Sequence, residues 1–300
     1  MDQVETPLVM PERAWLKSID FGAVDAAQVS RDPLLFSLLA TASFTETTSH
    51  VYTRNLVEYY EGEAEIVRWL KEEWEPEELQ HGRALRSYVQ TVWPDFDWER
   101  AYAAFFAEYS RHCSMDGLQP TRALEMVARC VVETGTSTYY RAVHEYVGEP
   151  VLRQIAGNIS RDEARHYSHF YNFFRGLDER EKNSRTAILR TIFRRLAMIR
   201  KDDGYIAFRH VFKVRFPETP FTNAHYIRFN DQMRSMYRSF YPFPMASRML
   251  VRPLGLPPRL ERAAAAAVAR GGNAVALGMV ASTAITLMLE GEPDAAMAAA

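Results

Sequence analysis

Cysteine is nearly absent. Cys113 and Cys130 are the only two, and they lack C-x-x-C spacing. That excludes a disulfide framework and a cysteine zinc site, and makes a reducing, cytoplasmic setting the expectation. Glycine (14) and proline (15) are sparse in 300 residues, while Ala, Leu, Glu and Arg abound, which favours helix. No G-x-G-x-x-G or G-x-x-x-x-G-K-[ST] phosphate loop occurs. The opening "MDQVETPLVMPERAW" has no basic stretch leading into an apolar one, so no secretory signal is expected. Long apolar runs are missing apart from "NAVALGMVASTAITLML" (273–289), 17 uncharged residues at the short edge for a membrane span. A buried or interface helix, not insertion, is the expectation there.

With 47% hydrophobic and 25% charged residues, the composition is that of a globular protein, expected as a single domain over 1–300. Net charge is −2 but uneven. From Glu181 to Arg262, 17 Lys and Arg stand against 6 Asp and Glu, a balance of +11 that leaves −13 on the remainder. A basic lobe on an otherwise acidic chain points to an acidic partner. Its aromatics, as in "HYIRFNDQMRSMYRSFY", also suit single-stranded nucleic acid, but no nucleic-acid motif accompanies them and none is expected to bind.

Helical periodicity runs through about 31–61, 64–91, 98–112, 120–146 and 150–176, with breaks at Gly62, "WPDFD", "MDGLQP" and "VGEP". Pro150 suits the first turn of the fifth helix. Further helices are expected at 184–201 and 225–240, followed by an irregular Pro-bearing stretch, "YPFPMASRMLVRPLGLPPRL". The organisation expected is all-α: two helical hairpins forming a core over 31–176, with a C-terminal helical extension, 177–300, packed on it.

Within "NISRDEARHYSHF", Glu163 and His166 are spaced i,i+3 and share a helix face. Glu78 and His81 repeat that spacing in "EELQHGRAL". Two such pairs are within the reach of chance, so the count decides nothing. Depth does more. Glu46 lies 16 residues before Gly62 and Glu78 16 after it; Glu133 lies 15 before Gly148 and Glu163 15 after it. At ~1.5 Å per residue, each hairpin delivers its pair roughly 22–24 Å from its turn. A carboxylate-bridged two-metal site needs one Glu from each of two helices and Glu-x-x-His from each of two more. The candidate ligands are therefore Glu46, Glu78, His81, Glu133, Glu163 and His166. Glu46 and Glu133 sit in apolar runs, where an unpaired carboxylate is costly. Each Glu-x-x-His is also preceded by an acid, Glu77 or Asp162. Ligating imidazoles pass their second N–H to a carboxylate, so Asp162 is expected to accept from His81 and Glu77 from His166, with Arg165 placed to neutralise one of the acids.

At these residues the chain resembles the soluble acyl-acyl-carrier-protein desaturases, a ferritin-like di-iron family. "EELQHG" is similar to the family's E-E-N-R-H-G, "LRQIAGNISRDEARH" to its L-A-Q-I-C-G-T-I-A-A-D-E-K-R-H, and "TETTSHVY" to its T-E-E-A-L-P-T-Y. The likeness covers about 40–176. It implies a ferritin-like four-helix bundle, ligand roles for the six residues named above, and for Thr136 the role of the active-site threonine that handles protons for bound oxygen. It also implies acyl carrier protein as substrate carrier and a homodimer; a ferredoxin-type electron donor is implied by the chemistry, since an oxidase of this type needs external electrons. The chain departs from the pattern in a shorter N-terminal extension and at Thr47 and His50, where the family has Glu and Pro. Nothing matches beyond residue 180. His50, one turn from Glu46, is either an additional ligand or a supporting residue.

An oxygen-rich Glu/His set suits two Fe(II), or Mn(II), better than Zn(II). On the resemblance and the +11 lobe, the leading expectation is O2-dependent desaturation of a carrier-bound acyl chain, with Thr136 or Ser137 delivering protons. Hydroxylation or other oxidation of a specialised metabolite is the alternative. Arylamine N-oxygenation fits less well, because those proteins add a His where this chain has Ile159. A ferroxidase would not need the 120 residues beyond the bundle. Met198, Tyr139, Tyr140, Phe170 and Phe173 are candidates to line a pocket, although such stripes are commonly plain core.

Overall fold

The computed structural model describes residues 14–199 and 203–271, and among them every regular element is helical. The N-terminal segment 1–13 and the apolar stretch 273–289, both singled out in the sequence, lie outside the described residues. Among the described residues no helix is long and apolar enough to cross a membrane.

A short α1 (Ala26–Val29) precedes α2 (Pro33–Thr47), which continues as α3 (Ser49–Tyr59). After Gly62, α4 (Ala64–Trp69) leads through a π turn (Leu70–Trp74) into α5 (Glu75–Val92). Next come α6 (Trp98–Tyr109), α7 (Arg122–Tyr146) and the 32-residue α8 (Pro150–Glu181). The α2 helix packs on α5 and α7 on α8, while α5 and α8 touch across the middle. The C-terminal part adds α9 (Arg185–Ile199), α10 (Asp203–Arg215), α11 (Asn223–Phe240), α12 (Phe243–Val251) and a last helix over 258–271. Of these, α9 and α12 lie on α7, α10 lies on α2 and α6, and α11 lies on both α2 and α7.

Three expectations need correcting. The helix expected over 31–61 breaks at Thr48. There the hydroxyls of Thr45, Thr47, Thr48 and Ser49 all bond back to carbonyls three or four residues earlier, competing with the helical ladder. The helix expected over 64–91 carries the π turn, in which the Glu75 N–H reaches the Leu70 carbonyl. Pro76, next in sequence, has no N–H to give and its ring crowds the carbonyl four residues back, so the chain widens one turn. The stretch expected to be irregular contains α12, with Pro244 in its first turn, where proline is tolerated. In addition, α10 was not expected, and α8 runs five residues past 176 to Glu181.

The apolar residues form two clusters. One gathers Leu34 to Phe44, Ala84 to Phe96, and Tyr140 to Ile159. The other gathers Leu56 to Trp74, Ala123 to Val131, and Tyr167 to Leu177. On every one of the four long elements the changeover falls at the candidate ligands. Those ligands therefore occupy a polar layer between two hydrophobic ones.

Close approach is needed at that layer. A Cβ on Gly82 would stand 2.6 Å from Thr47 Oγ1, 2.8 Å from its N and 3.0 Å from its Cα. Backbone cannot swing aside, so Gly82 sets how near α5 comes to α2. Ala ordinarily stabilises a helix interior relative to Gly. Here overpacking reverses the sign, and Gly82→Ala is expected to destabilise the fold by about 1–3 kcal/mol. Denaturant unfolding checks this: an unchanged or higher midpoint would mean that the α2–α5 approach is not limiting.

Candidate metal centre

Four helices converge on one buried cluster. The α2 helix supplies Glu46, α5 supplies Glu78 and His81, α7 supplies Glu133, and α8 supplies Glu163 and His166; all six side chains are buried. Their ligand atoms form two sets, Glu46–Glu78–His81–Glu163 and Glu78–Glu133–Glu163–His166, each with its atoms within 4.8 Å of one another. Glu78 and Glu163 belong to both. The two sets, sharing these carboxylates, could hold a pair of cations.

His81 Nδ1 stands 3.2 Å from Glu163 Oε1 and 3.7 Å from Glu46 Oε2. His166 Nδ1 stands 3.1 Å from Glu78 Oε1 and 3.7 Å from both Glu133 Oε2 and Glu163 Oε2. The imidazole centroids are 6.0 Å apart. The opposite ring nitrogens face the preceding acids, crosswise as expected: His81 Nε2 lies 3.1 Å from Asp162 Oδ2, and His166 Nε2 lies 2.8 Å from Glu77 Oε2. These bonds turn both Nδ1 atoms toward the cluster. Arg165 joins the two acids, donating to Asp162 Oδ1 at 2.9 Å and to Glu77 Oε2 at 2.6 Å.

Whether cations fit is decided by what lacks a partner. Glu78 Oε1, His81 Nδ1, Glu133 Oε2, Glu163 Oε1 and His166 Nδ1 are all buried without a hydrogen bond. Five orphaned atoms, all pointing into one cluster, are what a site built for cations presents. Protonation tells the same story. Burial, with Glu163 alongside, pushes the Glu78 carboxyl up to about 8 and raises Glu133 well above the carboxylate range. Burial works against a charged His81 and His166, but their carboxylate partners outweigh it and raise both well above the imidazole range. Burial also opposes ionisation of Glu163, yet the adjacent imidazoles of His166 and His81 hold it well below the usual range. Carboxyls pushed toward the neutral form and imidazoles pushed toward the charged form both offset the negative charge gathered here, as a bound cation would. Oxygen-rich ligands with one imidazole each suit iron or manganese.

Thr136 donates from Oγ1 to Glu163 Oε2 at 2.8 Å. Ser137 turns elsewhere, toward Thr134 O and Met249 Sδ, so of the two hydroxyls only Thr136 touches the cluster. His50 bonds the Thr47 carbonyl through Nδ1, stacks on Phe106 and belongs to neither ligand set. Phe170 and Phe173 pack edge-on to Trp69 in the apolar cluster beyond the site. The Met198 side chain lies outside the described residues.

Two neighbours have roles that the sequence reading misses: Trp15 altogether, and Tyr140, which it treats only as a pocket-lining candidate. Trp15 donates its indole N–H to Asp162 Oδ2 at 2.7 Å and lies over the His81 ring. It stands 66 residues before His81, with no local signal to connect them. Tyr140 donates to Glu46 Oε1 at 2.5 Å. Its place one turn beyond Thr136 and two beyond Glu133 was a readable sign that it shares their face.

No protein-family model, curated protein or solved structure matches this chain. The site's chemistry therefore rests on its own geometry. Glu163→Gln and His166→Ala are each expected to abolish two-ion binding while the helices persist. Metal analysis with circular dichroism checks this, and a variant that retains both ions would overturn the ligand assignment.

Proposed function

We propose that this chain is a non-haem di-iron, O2-dependent oxidoreductase built on a ferritin-like four-helix bundle, and that it desaturates an acyl chain held on an acidic carrier protein. The observation that carries the reading is the pair of ligand sets sharing Glu78 and Glu163, with five orphaned atoms aimed into them. The resemblance of "EELQHG" and "DEARH" to the acyl-carrier-protein desaturases adds to it.

When bound, a pair of irons, or manganese in their place, supplies the O2 and C–H chemistry that side chains lack. The chain's own residues do the rest. Asp162 and Glu77 fix both imidazoles with Nδ1 inward, and Arg165 balances their charge from outside the ligand set. Thr136 holds a hydroxyl proton at Oγ1 beside a shared carboxylate. The apolar clusters on either side keep water from the layer between them. Desaturation and hydroxylation diverge only after a common first C–H abstraction, so hydroxylation of a specialised metabolite uses the same residues.

The carrier reading draws on the basic lobe. Helix α9 contains four arginines and no acid, and it exposes Leu189 and Phe193 with Arg190 and Arg194 beside them. Such a face complements an acidic helix bearing apolar residues. The proposal also includes a ferredoxin-type donor, since the chemistry needs external electrons, and the homodimer implied by the resemblance.

The test is metal per chain after anaerobic Fe(II) loading, with the optical spectrum followed as O2 is added. Two irons per chain and an O2-dependent spectral change are expected; absence of stoichiometric iron would end the reading. Thr136→Val should still bind both irons but lose coupling between O2 consumption and product. Unchanged coupling would remove Thr136 from proton handling. Turnover on a carrier-bound acyl chain should fall steeply with added salt, because exposed charges are screened within about 8–10 Å at physiological ionic strength. Salt-independent turnover would point to a small free substrate.

A further inference from the structure

We infer that Tyr140 is a positioning residue that makes the two cation positions unequal, by holding Glu46 as a ligand through one oxygen only. The inference rests on the two-cation reading of the site and goes beyond it.

The two ligand sets differ only in their unshared members, Glu46 with His81 against Glu133 with His166. Each of the other five ligand residues keeps a buried atom without a hydrogen bond, aimed at the cluster. Glu46 is the exception. Its Oε1 accepts the phenol of Tyr140 at 2.5 Å, and its Oε2 is the oxygen toward His81 Nδ1, at 3.7 Å. Tyr140 comes from a different helix, α7, and is itself buried. Its ring packs edge-on against Tyr139, whose own hydroxyl is engaged on α2 through the Leu38 carbonyl.

A carboxylate tied at one oxygen by a buried phenol is held in a single rotamer and presents only its second oxygen to a cation. The Glu46–His81 position is thereby pre-set for a one-oxygen terminal ligand and depends on Tyr140 for it. The Glu133–His166 position does not use Tyr140. Loss of a partner that orients a ligand typically costs about 10–100-fold in metal affinity. The loss here should fall on one cation and spare the other.

The experiment is an anaerobic Fe(II) titration of the full-length chain, repeated with Mn(II) and read by electron paramagnetic resonance. Wild type should take up two ions and show the spectrum of a coupled Mn pair. Tyr140→Phe should keep one binding step and weaken the other by about 10–100-fold, so that an isolated-ion Mn signal persists where wild type shows the pair. Tyr139→Phe should leave both steps as they were. Glu46→Asp, which draws the carboxylate back from the phenol, should produce the same one-step loss, and adding Tyr140→Phe to it should cost little more, since residues acting through one another are not additive.

Two unchanged steps in Tyr140→Phe would overturn the inference while leaving the two-cation reading intact. Equal weakening of both steps would overturn it too, because it would make Tyr140 a general support of the fold. A full additional loss in the double variant would show that Tyr140 does not act through Glu46. A wild-type chain that fails to bind two ions would bring down the inference and the reading together.

Discussion

Four carboxylates and two imidazoles buried in one layer form the constraint on which the rest of this structure depends. Removing a carboxylate from water is expensive, and crowding four together multiplies the difficulty. Burial and the neighbouring Glu163 push Glu78 and Glu133 toward the neutral form, while the carboxylates around the two histidines push them toward the charged form. A bundle designed for stability alone would fill this layer with leucine, because well-packed apolar groups commonly outperform buried charge. The layer makes physical sense as a cation site: binding energy would then compensate for desolvation, and metal affinity would become part of folding stability.

The surrounding features follow from placing that layer at mid-height. Apolar clusters above and below exclude water. Gly82 removes the one side chain that would keep α5 from α2. The break at Thr48 and the π turn before Glu75 lie within a few residues of Glu46 and Glu78. Both are departures from regular helix at positions where ligand direction matters, and π turns occur frequently at functional sites. Regularity is given up where the cluster is built and retained in α7 and α8, which run unbroken past it.

The ligand layer was legible because it is written in helical arithmetic. Equal spacing of Glu46 and Glu78 about Gly62, and of Glu133 and Glu163 about Gly148, requires only two hairpins and a fixed rise per residue. The crossed pairing of His81 with Asp162 and His166 with Glu77 was legible from the chemistry of imidazole ligands. Trp15 was not, because a contact between residues 15 and 162 has no periodicity to betray it. The helix breaks were missed for a different reason. Periodicity averages over a dozen residues, whereas Pro76 and the hydroxyls of Thr45 to Ser49 act on a single turn. In the C-terminal part, Pro242 and Pro244 read as helix breakers and hid α12, although Pro244 falls in its first turn, where proline is tolerated.

The two ends of the cluster are linked and yet distinct. Arg165 reaches both acids that orient the histidines, so a change of charge at one imidazole is felt at the other through a single guanidinium. The remaining contacts divide them. Asp162 shares its Oδ2 between His81 and Trp15, whereas Glu77 shares its Oε2 between His166 and Arg165. Asp162 also accepts from the guanidinium, through Oδ1, so it carries one donor that Glu77 lacks; against the pull of burial, His81, Trp15 and Arg165 together hold its carboxyl down to about 2. Thr136 approaches the cluster through Glu163 Oε2, the oxygen that lies 3.7 Å from His166 Nδ1. The hydroxyl thus stands toward the Glu133–His166 end, and the Trp15 indole toward the other.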